Sequence, residues 1–134
     1  MENKLSDIKG IDDAGIKQLA AAGINSIMEF IEKANTAKER NELSKQTNID
    51  AKTLTEWYNR ADLMRVKGIG KEFANLLEEC GVDTIKELQH RVPANLHAKL
   101  KETNEAQKIT GRTPTLENVE DWVAQAKEIA AKDS

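Results

Sequence analysis

Apolar residues recur along the chain at helical spacing. Ile16, Leu19 and Ala20 form one set, as do Leu54, Trp57, Tyr58 and Ala61, then Phe73, Leu76, Leu77 and Cys80, and finally Val119, Trp122, Val123 and Ala126. Steps of three and four bring each set onto one face of a helix, and no stretch alternates as a half-buried strand requires. Helix starts are marked by Ser26-x-x-Glu29, Thr36-x-x-Glu39 and Thr84-x-x-Glu87, pairs in which hydroxyl and carboxylate each satisfy an orphan backbone donor. Gly23 and Gly81 stand where a preceding helix must turn off in the left-handed conformation. The pattern predicts helices over about 12–22, 26–34, 36–46, 50–66, 70–80, 84–91, 94–104 and 115–131, with the longest loop at 105–114. The expected class is all-α, built from about eight short helices.

The chain also repeats itself. Residues 5–30 overlay residues 63–88 without a gap at an offset of 58, keeping Leu5/Leu63, Lys9/Lys67, Gly10/Gly68, Ile11/Ile69, Leu19/Leu77, Gly23/Gly81, Ile27/Ile85 and Glu29/Glu87 identical. Further on, LTEWYNRA at 54–61 matches VEDWVAQA at 119–126 at an offset of 65, so the second unit has gained seven residues, placed around 108–114. Two copies of nearly 60 residues are too long and too few for a solenoid. They predict one domain over 1–134 made of two fused units, 5–62 and 63–131, in a pseudo-two-fold arrangement.

Charge narrows the chemistry. Against 20 basic residues stand 23 acidic ones, a net charge of −3, so the molecule is not basic all over and any anion-binding surface is local. One cysteine excludes an internal disulfide framework, and with two scattered histidines it cannot supply a structural zinc site. No charged leader precedes an apolar run, and no window approaches the roughly 18 apolar residues of a membrane span. A cytoplasmic protein with no membrane association is expected.

The local surface lies in the second unit, where Arg65, Val66, Lys67, Gly68, Ile69, Gly70 and Lys71 place a helix end, a tight Gly-Ile-Gly hairpin and a new helix start in sequence. A helix amino terminus offers unpaired N–H donors and the positive end of the dipole, and glycines let a phosphate approach the backbone. Residues 65–71 carry three cations and no acid. The first copy differs: Gly70 is replaced by Asp12 and Lys71 by Asp13, carboxylates that cap the helix start themselves and repel phosphate. Only the second hairpin is a candidate anion site, with Arg65, Lys67, Gly68, Ile69, Gly70 and Lys71 as its residues.

This stretch resembles the helix-hairpin-helix motif of DNA repair, replication and recombination proteins, in which the hairpin amides bind a phosphate oxygen. The resemblance implies the same role for the amides near Gly68, Gly70 and Lys71. Over nearly its full length, including the Gly81-Val82-Asp83-Thr84 turn and the Trp helix, the chain resembles an uncharacterised bacterial family of tandem helix-hairpin-helix proteins, described as a domain of unknown function. Backbone contacts read no bases. The leading expectation is therefore a non-enzymatic module that binds DNA weakly and without sequence preference; the alternative is a protein-interaction or scaffolding domain whose hairpins only pack helices.

Other residues have plainer readings. Trp57 and Trp122 sit on apolar faces and are expected as core anchors rather than base-stacking platforms. Cys80 precedes a helix-ending glycine and reads as a small buried hydrophobe. His90 and His97 are seven apart with Pro93 between them, which does not place two metal ligands on one helix, and Arg112 in the 108–114 loop is expected to be solvated. No nucleophile stands with a base, and neither a phosphate-binding loop of the nucleotide-hydrolase type nor a dinucleotide fingerprint is present. No catalytic residue, cofactor, metal or small-molecule substrate is expected.

Overall fold

A computed structural model describes residues 4–133. Among them are a short 3-10 helix, Leu5–Asp7, and the helices α1 Asp13–Ala21, α2 Ile27–Lys33, α3 Ala37–Thr47, α4 Ala51–Leu63, α5 Lys71–Glu79, α6 Ile85–Leu88, α7 Pro93–Gln107 and α8 Leu116–Asp133, with no strand among the described residues. The class is all-α, as the apolar periodicity predicts. The chain divides between Asp62 and Leu63 into two compact units.

Three boundaries differ from the expected ones, each for a local reason. Helix α4 stops at Leu63 rather than 66, because i to i+3 bonds from Val66 N to Leu63 O and from Ile69 N to Val66 O take over. Helix α6 closes early through the same kind of bond, His90 N to Glu87 O and Arg91 N to Leu88 O, and Val92 is extended ahead of Pro93. Helix α7 runs on to Gln107 and ends only where Lys108 takes a left-handed φ of 51°.

The caps follow the sequence closely. Thr36 and Glu39 form the reciprocal box. At Ser26 the hydroxyl accepts from Glu29 N at 3.1 Å, while the carboxylate accepts from the preceding amide, Asn25 N. At Thr84 only the hydroxyl half is present, because Glu87 accepts from Arg91 Nε instead.

In the first unit α1 and α2 pack on α3, and in the second α8 packs on α6 and α7 while α5 packs on α7. Leu19, Ile27 and Phe30 are buried in the first unit, and Leu77, Ile85 and Leu88 in the second. Trp57 is 6 % exposed and Trp122 2 %, which leaves neither ring a face for stacking against a base. Matched devices recur in the two units. Lys33 Nζ donates to Ala22 O at the end of α1, and Arg91 Nη2 donates to Cys80 O at the end of α5. A cation thus caps each of these helix ends, where carbonyls lack partners.

The Trp pockets differ in one respect. Phe73 lies beside Trp122, ring centroids 5.1 Å apart. At the matching place in the first unit is Gly15, and a β-carbon there would lie 2.7 Å from Cη2 of Trp57. Gly15→Ala is therefore expected to destabilise the protein by about 1–2 kcal/mol, the overpacking cost exceeding the gain in helix propensity. Denaturant unfolding checks this; an unchanged or raised midpoint would mean that the Trp57 ring yields without cost.

Candidate functional site

The stretch from Leu63 to Lys71 is shaped by what it buries. Val66 and Ile69 are each 1 % exposed, so Lys67 and Gly68 between them are turned out to solvent. Gly68 has a φ of +99°, in the region that disfavours side chains, and its Cα faces the Trp122 indole so closely that a β-carbon would sit 3.0 Å from Nε1. Gly10 holds the same conformation, φ +91°, against Trp57. In each unit, then, the tryptophan of the last helix backs the glycine of the turn.

The helices that follow begin differently. Asp12, extended at φ −117°, accepts the Gly15 amide on Oδ1 at 2.8 Å and caps α1. Gly70 is also extended, φ −100°, but carries no side chain, so the first-turn amides of α5 receive no capping bond. This is the asymmetry the two sequences imply.

The six sequence-derived residues divide into two groups. Lys67, Gly68 and Lys71 are exposed and Gly70 is half-buried; no carboxylate pairs with Lys67 or Lys71 among the described residues. Arg65 and Ile69 are committed elsewhere. The Arg65 guanidinium is gripped by Asp133 at the end of α8 through two bonds, Nη1 to Oδ2 at 3.0 Å and Nη2 to Oδ1 at 3.1 Å, and its side chain is only 17 % exposed. The Ile69 side chain lies in the core and its amide is spent on Val66 O. Two exposed lysines thus remain from a sequence cluster of three cations. Glu72, exposed in the first turn of α5, opposes them.

Two contributions were not visible in the motif. Gln125 of α8 brackets the backbone of Lys67; its alignment with Arg60 at the offset of 65 is the signal that would have found it. Arg112 is the other. Buried Asn104 accepts from Thr110 N at 2.9 Å and donates to Thr110 O at 3.3 Å, ordering the loop after α7. That loop sets the exposed Arg112 guanidinium 5.8 Å from the centroid of Phe73, in the first turn of α5, rather than leaving it simply solvated.

The other candidate groups stay apart from this surface or from one another. Cys80 is fully buried, its thiol near Lys99 O and Thr103 Oγ1. Among the described residues no three His, Cys, Asp or Glu side chains gather where a metal ion could be held, and no helix is long and apolar enough to cross a membrane.

Neither a curated protein nor a solved structure matches the chain. A family model described as "Domain of unknown function (DUF4332)" matches residues 9–129, a span that takes in both turns and both Trp helices. By that match the protein belongs to the DUF4332 family of unknown function.

Proposed function

We propose that the protein is a non-enzymatic, sequence-nonspecific DNA-binding module, a tandem of two helix-hairpin-helix units in which only the second hairpin takes a phosphate. The observation that carries this reading is the bare start of α5, Gly70 with no side-chain cap, flanked by exposed Lys67 and Lys71. Amides at a helix start favour a negative oxygen, and the two lysines draw the anion in. Phosphate contact belongs to Gly68, Gly70, Lys71 and the Lys67 side chain; Arg65 and Ile69 support the turn from behind. The single buried cysteine fits a reducing, cytoplasmic setting.

So small a contact binds weakly. A fluorescein-labelled duplex titrated by anisotropy is expected to give a Kd of ~10⁻⁴ to 10⁻⁶ M at physiological salt, with a shallow salt slope. Lys71→Glu is expected to weaken binding several-fold and to reduce that slope by about one. No association at low salt would defeat the phosphate reading and leave the scaffolding alternative, which the Asp12-capped first hairpin already favours for its own unit.

A further inference from the structure

The side chain of Gln125 meets both backbone groups of one residue. Its Oε1 accepts from Lys67 N at 2.9 Å and its Nε2 donates to Lys67 O at 3.0 Å. The second Nε2 hydrogen goes to Asp121 Oδ2, one turn earlier on α8, at 2.8 Å. A carboxylate and a carbonyl accept and an amide N–H donates, so these three partners admit only one orientation of the Gln125 amide group. Lys67 is thereby held as if it faced the edge of a β-strand, although it lies in a turn with no strand beside it.

The first unit lacks this bracket. Arg60 occupies the place of Gln125 and donates to Lys9 O at 3.1 Å, but a guanidinium has no acceptor to offer the Lys9 amide. One turn of the two is therefore pinned at both backbone groups and the other at one. The doubly pinned turn is the one followed by an uncapped helix start.

We infer that Gln125 is the positioning residue of the second turn: it locks the Lys67 peptide groups, and with them the path into Gly68, so that the glycine amides and the start of α5 face outward in one arrangement. Asp121 acts behind it by fixing the Gln125 amide. Two features make the bracket necessary. The turn runs through Gly68 at a φ of +99°, and flanking glycines leave its backbone conformational freedom that must be removed before a phosphate can be met by amides at set positions. The inference rests on the phosphate-binding reading for its consequence in DNA affinity, but not for the conformational effect itself.

The test separates the two. Amide hydrogen exchange by NMR is measured on wild type, Gln125→Leu, which keeps much of the volume and loses both bonds, and Gln125→Glu, which keeps an acceptor for Lys67 N and loses the donor. Binding of a labelled duplex is measured on the same samples. Loss of the bond on the Lys67 amide in Gln125→Leu is expected to speed exchange at Lys67 by about fivefold or more, and duplex affinity is expected to fall at least as far. Gln125→Glu turns a carboxylate oxygen onto Lys67 O and Asp121 Oδ2, both of which repel it, and is expected to lie between wild type and Gln125→Leu in Lys67 protection. Asp121→Asn, which replaces the charged acceptor behind Gln125 Nε2 with a weaker neutral one, is also expected to lie between wild type and Gln125→Leu. Unchanged Lys67 exchange in a folded Gln125→Leu protein would overturn the positioning role, as would faster exchange with undiminished duplex affinity. Faster exchange in a protein whose wild type binds no duplex would uphold the bracket and overturn the phosphate reading alone.

Discussion

Trp122→Ala is expected to destabilise the protein by about 3–5 kcal/mol, the range for emptying the site of a large buried aromatic. The indole is 2 % exposed, lies beside Phe73 with ring centroids 5.1 Å apart, and backs the Cα of Gly68. Its removal opens a cavity between α8, the first turn of α5 and the glycine turn, and none of these can collapse into it without losing other contacts. The loss extends beyond volume, since the turn held by Gln125 rests on the same helix. Trp57→Ala is expected to cost an amount in the same range, because that ring is buried and packs directly on Gly15, which has no side chain to put in its place. Denaturant unfolding followed by circular dichroism measures both. Unchanged midpoints in the two variants would place the rings outside the cores and return them to consideration as stacking surfaces.

Gly70→Asp is expected to abolish duplex binding, a fall of tenfold or more, while leaving the fold intact. Its backbone makes the prediction sharp. Gly70 has φ −100° and ψ −165°, and Asp12 at the matching place has φ −117° and ψ 174°; both are extended, so an aspartate enters without strain. The new carboxylate would accept an amide of the first turn of α5, as Asp12 accepts Gly15 N, and would put a negative charge where the phosphate belongs. Stability is expected to rise by a few tenths of a kcal/mol, the difference between aspartate and glycine as caps. The reciprocal pair, Asp12→Gly with Asp13→Lys, is expected to strengthen binding, since Lys9 and Gly10 already match Lys67 and Gly68. Anisotropy titrations and thermal melts on the same preparations check both. Wild-type affinity in Gly70→Asp would show that duplex, if bound, is held elsewhere on the molecule.

Much of this structure is legible in the amino-acid order because it is decided within a few residues. The periodic stripes place the helices, Ser26, Thr36 and Thr84 cap theirs over three residues, and the contrast between Asp12 and Gly70 is complete within one turn of helix. Glycines at 10, 23, 68 and 81 carry positive φ because each must reverse the chain where a side chain would be strained. The early end of α4 and the late end of α7 escaped the pattern, since three-residue bonds and a left-handed Lys108 compete with helix on margins too small for periodicity to register.

What the tertiary structure alone decided are the contacts that span much of the second unit. Asp133 reaches back 68 residues to take Arg65 out of the apparent cation cluster, and Gln125 reaches back 58 to hold Lys67. Arg112, which reads as a solvated loop residue, is carried to Phe73 by a loop that folds on buried Asn104. In the other unit Gly15, ordinary within a helical stretch, turns out to be the floor beneath Trp57. Helices and caps follow from local hydrogen bonding and side-chain spacing, which the chain carries in its order of residues. Whether a given arginine meets water, a carboxylate or an aromatic ring depends on which surfaces the packed helices bring together, and that is settled only when the apolar stripes have found one another.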